Sequence, residues 1–219
     1  MPAYFGLSVR LLARTFHGRR DGGAPEWPPS PLRVFQALVA AAYTSSRSTP
    51  LPVAARATLD WLTAQPPPEL IAPPGLVGAG YRLSVPHNAM DLVAKAWCRR
   101  GTSGLGDANP ATHRTMKRVR PVYLMDGDGV HYLWRLSEPL KDEIRGHLDL
   151  LRVFARSIVA LGWGIDVAVG DAGILSEDEA AALPGERWLP GGPASEGGLR
   201  VPISGTLADL DRRHASGAV

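Results

Sequence analysis

One cysteine, Cys98, occurs in the 219 residues, so no internal disulfide can form. No run approaches the roughly 18 apolar residues that a membrane-spanning helix needs. The opening Met1-Pro2-Ala3-Tyr4 lacks the basic-then-apolar pattern of a secretory leader. These absences set the expectation of a soluble, cytoplasmic protein. The six histidines, at 17, 87, 113, 131, 147 and 214, include no pair at metal-ligand spacing, which argues against a zinc site. Gly101-Thr102-Ser103-Gly104-Leu105-Gly106 lacks the lysine and hydroxyl that close a P-loop. Asp126 and Asp128 resemble the start of a calcium loop, but the downstream ligands are missing and turn chemistry explains them. No metal and no cofactor is therefore expected.

Turn residues and positive charge are plentiful. With 24 Gly and 20 Pro, the chain calls for many turns and extended connections rather than a helical bundle, while 45% hydrophobic residues suffice for a real core. The net charge of +3 conceals an uneven split. From Asp166 onward the chain is net −5, and the 165 residues before it are net +8. A basic body with a pI near 9.3 suits a polyanionic partner.

Residues 3–13 alternate, with Phe5, Leu7, Val9 and Leu11 on one face, as in a half-buried strand. A Gly-rich basic loop, 15–23, follows and is expected to be mobile until bound. Ser30 and Pro31 read as the N-cap and first-turn proline of a helix over 31–45, and a second helix is expected around 52–64. Residues 69–87 read as short extended pieces, with a short helix near 89–99 and a flexible excursion over 101–112. Runs 115–125 and 130–136, joined by Asp126-Gly127-Asp128-Gly129, predict a hairpin. A long helix over 139–161, ending at Gly162, and a strand over 165–169 come next. Ser176 and Thr206, each with an acidic residue three later, predict short capped helices. The order is that of an α+β, ferredoxin-like (RRM/RAMP) βαββαβ domain with an elaborated irregular insertion. The expected boundaries are 1–172 for that domain, with the insertion at about 66–114, and 173–219 for a C-terminal extension.

Six positive charges between residues 99 and 120 face only Asp107. They are Arg99, Arg100, Arg114, Lys117, Arg118 and Arg120, and guanidinium forks beside aromatic neighbours (Trp97, Tyr123, Tyr132, Trp134) suit a single-stranded nucleic acid. His17 and His113, each in a basic loop, are the weak candidates for acid or base chemistry on RNA. Trp27 reads either as a stacking platform or as a staple against the first helix.

Four segments resemble a known family: Glu26-Trp27-Pro28-Pro29-Ser30-Pro31-Leu32-Arg33 with Ala37-Leu38-Val39-Ala40-Ala41, then His113-Arg114 to Tyr123, Leu161-Gly162-Trp163-Gly164-Ile165-Asp166, and Leu199-Arg200-Val201-Pro202 with Gly205-Thr206-Leu207-Ala208-Asp209-Leu210-Asp211. The likeness is to the CRISPR-associated RAMP superfamily, specifically the fused Cas-five/Cas-six subunit of type I-G Cascade. It implies a subunit that grips the repeat-derived 5′ handle of CRISPR RNA and touches Cas-seven-like backbone and large subunits. Arg14, His17, Arg19, Arg20, Arg33 and the cluster from Arg114 to Arg120 are the handle contacts it implies. Family members continue into a second, Cas-six-like RAMP domain that this sequence does not contain, so the resemblance implies a non-catalytic RNA-binding part with a separate Cas-six-like domain as a possible partner. The alternative is a metal-independent endoribonuclease acting on precursor CRISPR RNA.

Overall fold

The computed structural model describes residues 3–86, 113–137, 141–191 and 198–215. The helix expected near 89–99, the excursion at 101–112, and Trp97, Arg99 and Arg100 lie outside them. The chain divides into two compact units, Met1–Val77 with Val122–Val219, and Gly78–Pro121.

The first unit is built on strand β1 (Ala3–Leu11), whose alternation buries Phe5, Leu7, Val9 and Leu11 against the helices. β2 (Thr15–Phe16) follows, then α1 (Pro31–Ser46), α2 (Val53–Thr63), β3 (Glu69–Ala72) and β4 (Gly75–Val77). After the second unit come β7 (Val122–Leu124), β8 (Gly129–Leu136), α3 (Asp142–Arg156), β9 (Ala168–Ser176), α4 (Glu177–Ala181), β10 (Glu186–Trp188) and α5 (Thr206–Ala215). The second unit holds β5 (Tyr81–Pro86) and β6 (Arg114–Val119).

The main sheet runs β10-β3-β8-β1-β9 with every neighbouring pair antiparallel. Leaving out the added edge strand β10, the first strand of the path lies between the third and the fourth, and the second is outermost. A βαββαβ path takes that order when each helix returns the chain across one intervening strand. The expected α+β class is thus what the chain adopts. One face of the sheet packs under α1, α2 and α3, whose Val34, Phe35, Leu38, Leu59, Leu62, Leu151 and Phe154 join the core. On the opposite face α4 covers one end through a small cluster of Ile71, Leu133 and Ala180.

Helix starts match the sequence where local chemistry dictates them. Pro31 is the first residue of α1, because its fixed φ suits the first turn and its missing N–H orphans nothing there. Ser176 and Glu179 form a complete capping box on α4. Three readings need correction. Ser30 caps nothing with its side chain; instead Glu26 Oε1 accepts the Ser30 amide at 2.8 Å. The expected hairpin over 115–136 does not form. Pro121 has no amide to donate, the run breaks there, β6 pairs with β5, and β7 pairs with β2 and β4. The long helix ends at Arg156, not 161, and the strand after it is β9, which begins three residues later than expected.

Candidate functional site

The basic loop after β1 is anchored along its length. Arg14 is exposed in a left-handed conformation (φ 49), and its carbonyl accepts the Leu124 amide at 2.9 Å. Phe16 is buried under Trp27 at 6.0 Å between ring centroids, and Trp27 Nε1 donates to the Pro73 carbonyl at 3.0 Å. A Cβ on Gly75 would come within 2.5 Å of the Trp27 ring. Trp27 thus packs over the β2–β4 region at the edge of the main core.

His17, the first of the two acid–base candidates, is only 4% exposed. Its amide donates to both Asp166 oxygens at 3.1 Å, and its Nδ1 forms a 2.6 Å hydrogen bond with Asp166 Oδ1. Burial pushes the Asp166 carboxyl above its ordinary value, and the His17 hydrogen bonds pull against that rise. Arg33 is also turned inward. Its Nη2 lies 2.5 Å from Glu26 Oε2 and donates to the Arg19 carbonyl at 3.0 Å, while its guanidinium lies over the Phe16 ring. For Glu26, burial raises the pKa, but the hydrogen bonds and charge of Arg33 with the Ser30 amide outweigh it, leaving the carboxyl below the usual glutamate range. Arg19 stacks over Trp163 at 5.2 Å, and Arg20 Nη2 donates to the Trp27 carbonyl at 3.4 Å.

Three of the segments that carry the family likeness therefore meet in one place. Glu26 to Arg33, Gly162 to Asp166 and Leu199-Arg200 close around the start of α1. Arg33 lies against Gly162, whose φ of +97 suits glycine alone, and the Leu32 amide donates to the Arg200 carbonyl at 2.9 Å. This is a fold-setting junction, held by Arg33 of α1 together with Arg19 and Arg20 of the loop.

The second unit places its cations differently. In the β5–β6 pair, Arg82 stands opposite Arg118, Leu83 opposite Lys117 and Pro86 opposite Arg114. Directly opposed residues share a face and alternate residues along a strand return to it. Arg114, Arg118 and Arg82 thus lie on one face, Lys117 is on the other, and Arg118 and Arg120 both flank Gly80. All five side chains are exposed. Like charges set opposite each other destabilise a strand pair, so the Arg82–Arg118 pair is a cost that a polyanion would offset. His113, the second acid–base candidate, lies half-buried in the turn before β6.

Arg82 was not singled out in the sequence. Its only signal is the alternation Tyr81-Arg82-Leu83-Ser84-Val85; its partnership with Arg118 depends on a pairing across 35 intervening positions that no local pattern announces. The proposed stacking residues also sort by burial. Tyr132 is fully buried with its hydroxyl donating to the Pro29 carbonyl at 2.8 Å, and Trp134 is buried beside Phe5. Tyr123 is exposed. Among the described residues no group of three or more His, Cys, Asp or Glu could hold a metal, and no helix is long and apolar enough to cross a membrane.

The model of a family described as CRISPR-associated protein, GSU0054 family, matches residues 4–218. The chain belongs to that family. Membership ties the chain to CRISPR defence. Among solved structures it is similar to the crystal structure of a CRISPR protein from Archaeoglobus fulgidus, at 13% identity and a TM-score of 0.35, covering 80% of this chain. The chain corresponds to 65% of the length of that protein. No curated protein matches.

Proposed function

We propose that this member of the family is the Cas-five-like, RNA-binding part of a type I-G Cascade subunit, with a ferredoxin-like RAMP fold, and that it holds the repeat-derived 5′ handle of CRISPR RNA. The cytoplasm is where such a complex works, and the Cas-seven-like backbone, the large subunit and a Cas-six-like domain are the partners the reading implies. One observation carries it. The β5–β6 pair presents Arg82, Arg114 and Arg118 on a single exposed face, with Arg120 beside Arg118. Same-face residues recur about every 7 Å along a strand, so Arg118 and Arg120 are one repeat apart and Arg114 lies two repeats from Arg118 with Met116 between, a row that an extended, singly charged backbone can follow.

The contacts divide by role under this reading. Arg82, Arg114, Arg118 and Arg120 meet phosphates, with Lys117 available from the reverse face. Arg14, Arg19 and Arg20 are secondary contacts along the anchored loop. Arg33 and His17 act through the fold, because each is engaged inward by a carboxylate. Arg99 and Arg100 extend the same charge run in sequence.

The test is binding of repeat RNA to the Lys117→Ala, Arg118→Ala, Arg120→Ala triple variant. The reading expects tight, salt-sensitive binding by the parent and affinity reduced at least tenfold in the variant, with unchanged thermal unfolding. Equal binding by both proteins would remove the hairpin from the interface.

A further inference from the structure

The face of the main sheet away from α1, α2 and α3 contains a cleft of about 460 Å³, within the size range of small-molecule sites. Its floor is a row across three strands, in which Ser8 of β1 stands opposite both His131 of β8 and Asp171 of β9. Pro73, Val169 and Pro184 supply apolar lining. All of it belongs to the first unit.

The polar groups are few and fixed. Ser8 Oγ and His131 Nδ1 are 2.7 Å apart, so the serine sets the ring orientation. His131 Nε2 has no hydrogen bond among the described residues. Gly129, two residues earlier on the same face, leaves that nitrogen uncovered, since a Cβ there would lie 3.4 Å from it. Burial pushes the His131 pKa down, so the ring presents itself as a neutral donor or acceptor and not as a cation.

Both cations near the row are paired with carboxylates, and Asp126 adds a further carboxylate to the lining. Arg10 Nε donates to Asp128 Oδ2 at 2.6 Å, and Arg156 Nε donates to Asp171 Oδ1 at 2.8 Å. A phosphate entering here would meet a carboxylate beside each cation. What the cleft offers instead is donors and acceptors side by side between apolar walls, which complements the mixed edge of a heterocyclic ring.

We propose that this cleft binds a nucleobase, with His131 Nε2 and the Arg10–Asp128 pair reading its hydrogen-bonding edge and the rings of Pro73 and Pro184 bounding its faces. The base comes either from a free nucleoside or from an RNA strand, and the chemistry of recognition is the same. The site is separate from the β5–β6 cations and does not depend on their role.

The experiment titrates the full chain with adenosine, guanosine, cytidine and uridine in turn, and with inorganic phosphate, followed by backbone amide chemical shifts. At least one nucleoside is expected to move the amides of Ser8, Gly129 and His131 at millimolar concentration or below, and phosphate is expected to leave them in place. Gly129→Ala, which fills the space beside Nε2, should weaken that nucleoside at least tenfold without loss of fold, and His131→Ala should do the same. The Lys117, Arg118, Arg120 triple alanine variant should bind it as the parent does, so that failure here and failure of the RNA-binding reading remain distinguishable. A short single-stranded RNA that displaces the nucleoside supports an RNA base as the source, and undisturbed nucleoside binding in its presence supports a free one. No shift with any nucleoside in the folded protein, or equal shifts with phosphate, overturns the proposal.

Discussion

The two groups of arginines in this protein are engaged differently, each within its own unit. Around the start of α1, Arg33 is turned toward Glu26 and Arg19 toward Trp163, inside a junction closed by His17 and Asp166. On the β5–β6 pair, Arg82, Arg114, Arg118 and Arg120 are exposed, and two of them oppose each other across the strands. The residue type is the same; the partner decides the use. A part-buried guanidinium that donates twice to one carboxylate oxygen contributes to a fold, whereas an exposed row of cations contributes a field. Charge density along a sequence cannot tell these apart.

The comparison breaks most readily at Glu26. Replacing it by alanine leaves Arg33 buried without its carboxylate and removes the acceptor of the Ser30 amide, so the expected loss is about 3–5 kcal/mol in chemical denaturation. A loss below about 1 kcal/mol would mean that the junction is not held by this pair.

The same pair predicts a pH dependence. The folded pKa of Glu26 is lowered, so its contribution is complete above the ordinary glutamate range and is lost as pH falls through that range toward the folded value. The stability gap between the parent and Glu26→Gln should therefore be widest near neutrality and shrink on acidification. Asp166 has the opposite sign. Its folded pKa is raised, which favours the fold at low pH and fades as pH rises. Comparing Glu26→Gln with Asp166→Asn by denaturation across pH separates the two; parallel curves would contradict the assignment.

A smaller effect is expected at His17. His17→Ala removes one of the two groups that bond the buried Asp166 carboxylate, because the backbone amide remains; the expected cost is about 1–3 kcal/mol. RNA affinity at a temperature where the variant is folded should be unchanged, and a specific loss of RNA binding would move His17 from the fold to the interface. The smallest effect is at Arg82. Its alanine variant relieves the opposition to Arg118, so the β5–β6 pair should gain a few tenths of a kcal/mol in the absence of RNA. With RNA present the sign reverses, and the variant binds more weakly than the parent.

Much of the main sheet could be read from the chain because the signals are local. The alternation in β1, the proline at the start of α1 and the Ser176–Glu179 box each act within a few residues. What could not be read depends on distance. Asp126-Gly127-Asp128-Gly129 bends the chain but does not fold β7 back onto β8: β7 pairs with β2 and β4 while β8 pairs with β1 and β3, and a turn signal does not say which strand lies beside which. The loop at 15–23 looks mobile from its glycines and charges. Its anchors are Asp166, 149 positions away, and Trp163, and neither is visible from the loop's own composition. Arg82 was missed for the same reason. The likeness among Glu26–Arg33, Gly162–Asp166 and Leu199-Arg200 pointed to a CRISPR-associated protein, which the family match bears out, and in the fold those segments lie together.

The claim that the exposed row, not the anchored loop, meets RNA is tested most directly by salt dependence. Repeat RNA binding should be measured from about 50 to 300 mM salt for the parent, for Lys117→Ala/Arg118→Ala/Arg120→Ala, and for Arg14→Ala/Arg19→Ala/Arg20→Ala; each lost phosphate contact to a single strand lowers the slope of log affinity against log salt by about 0.7. The account predicts a slope shallower by at least about 1.4 for the β5–β6 variant, from Arg118 and Arg120, and by less than 1 for the loop variant. A loop variant that loses the larger share of the slope, with the hairpin variant unchanged, would contradict it.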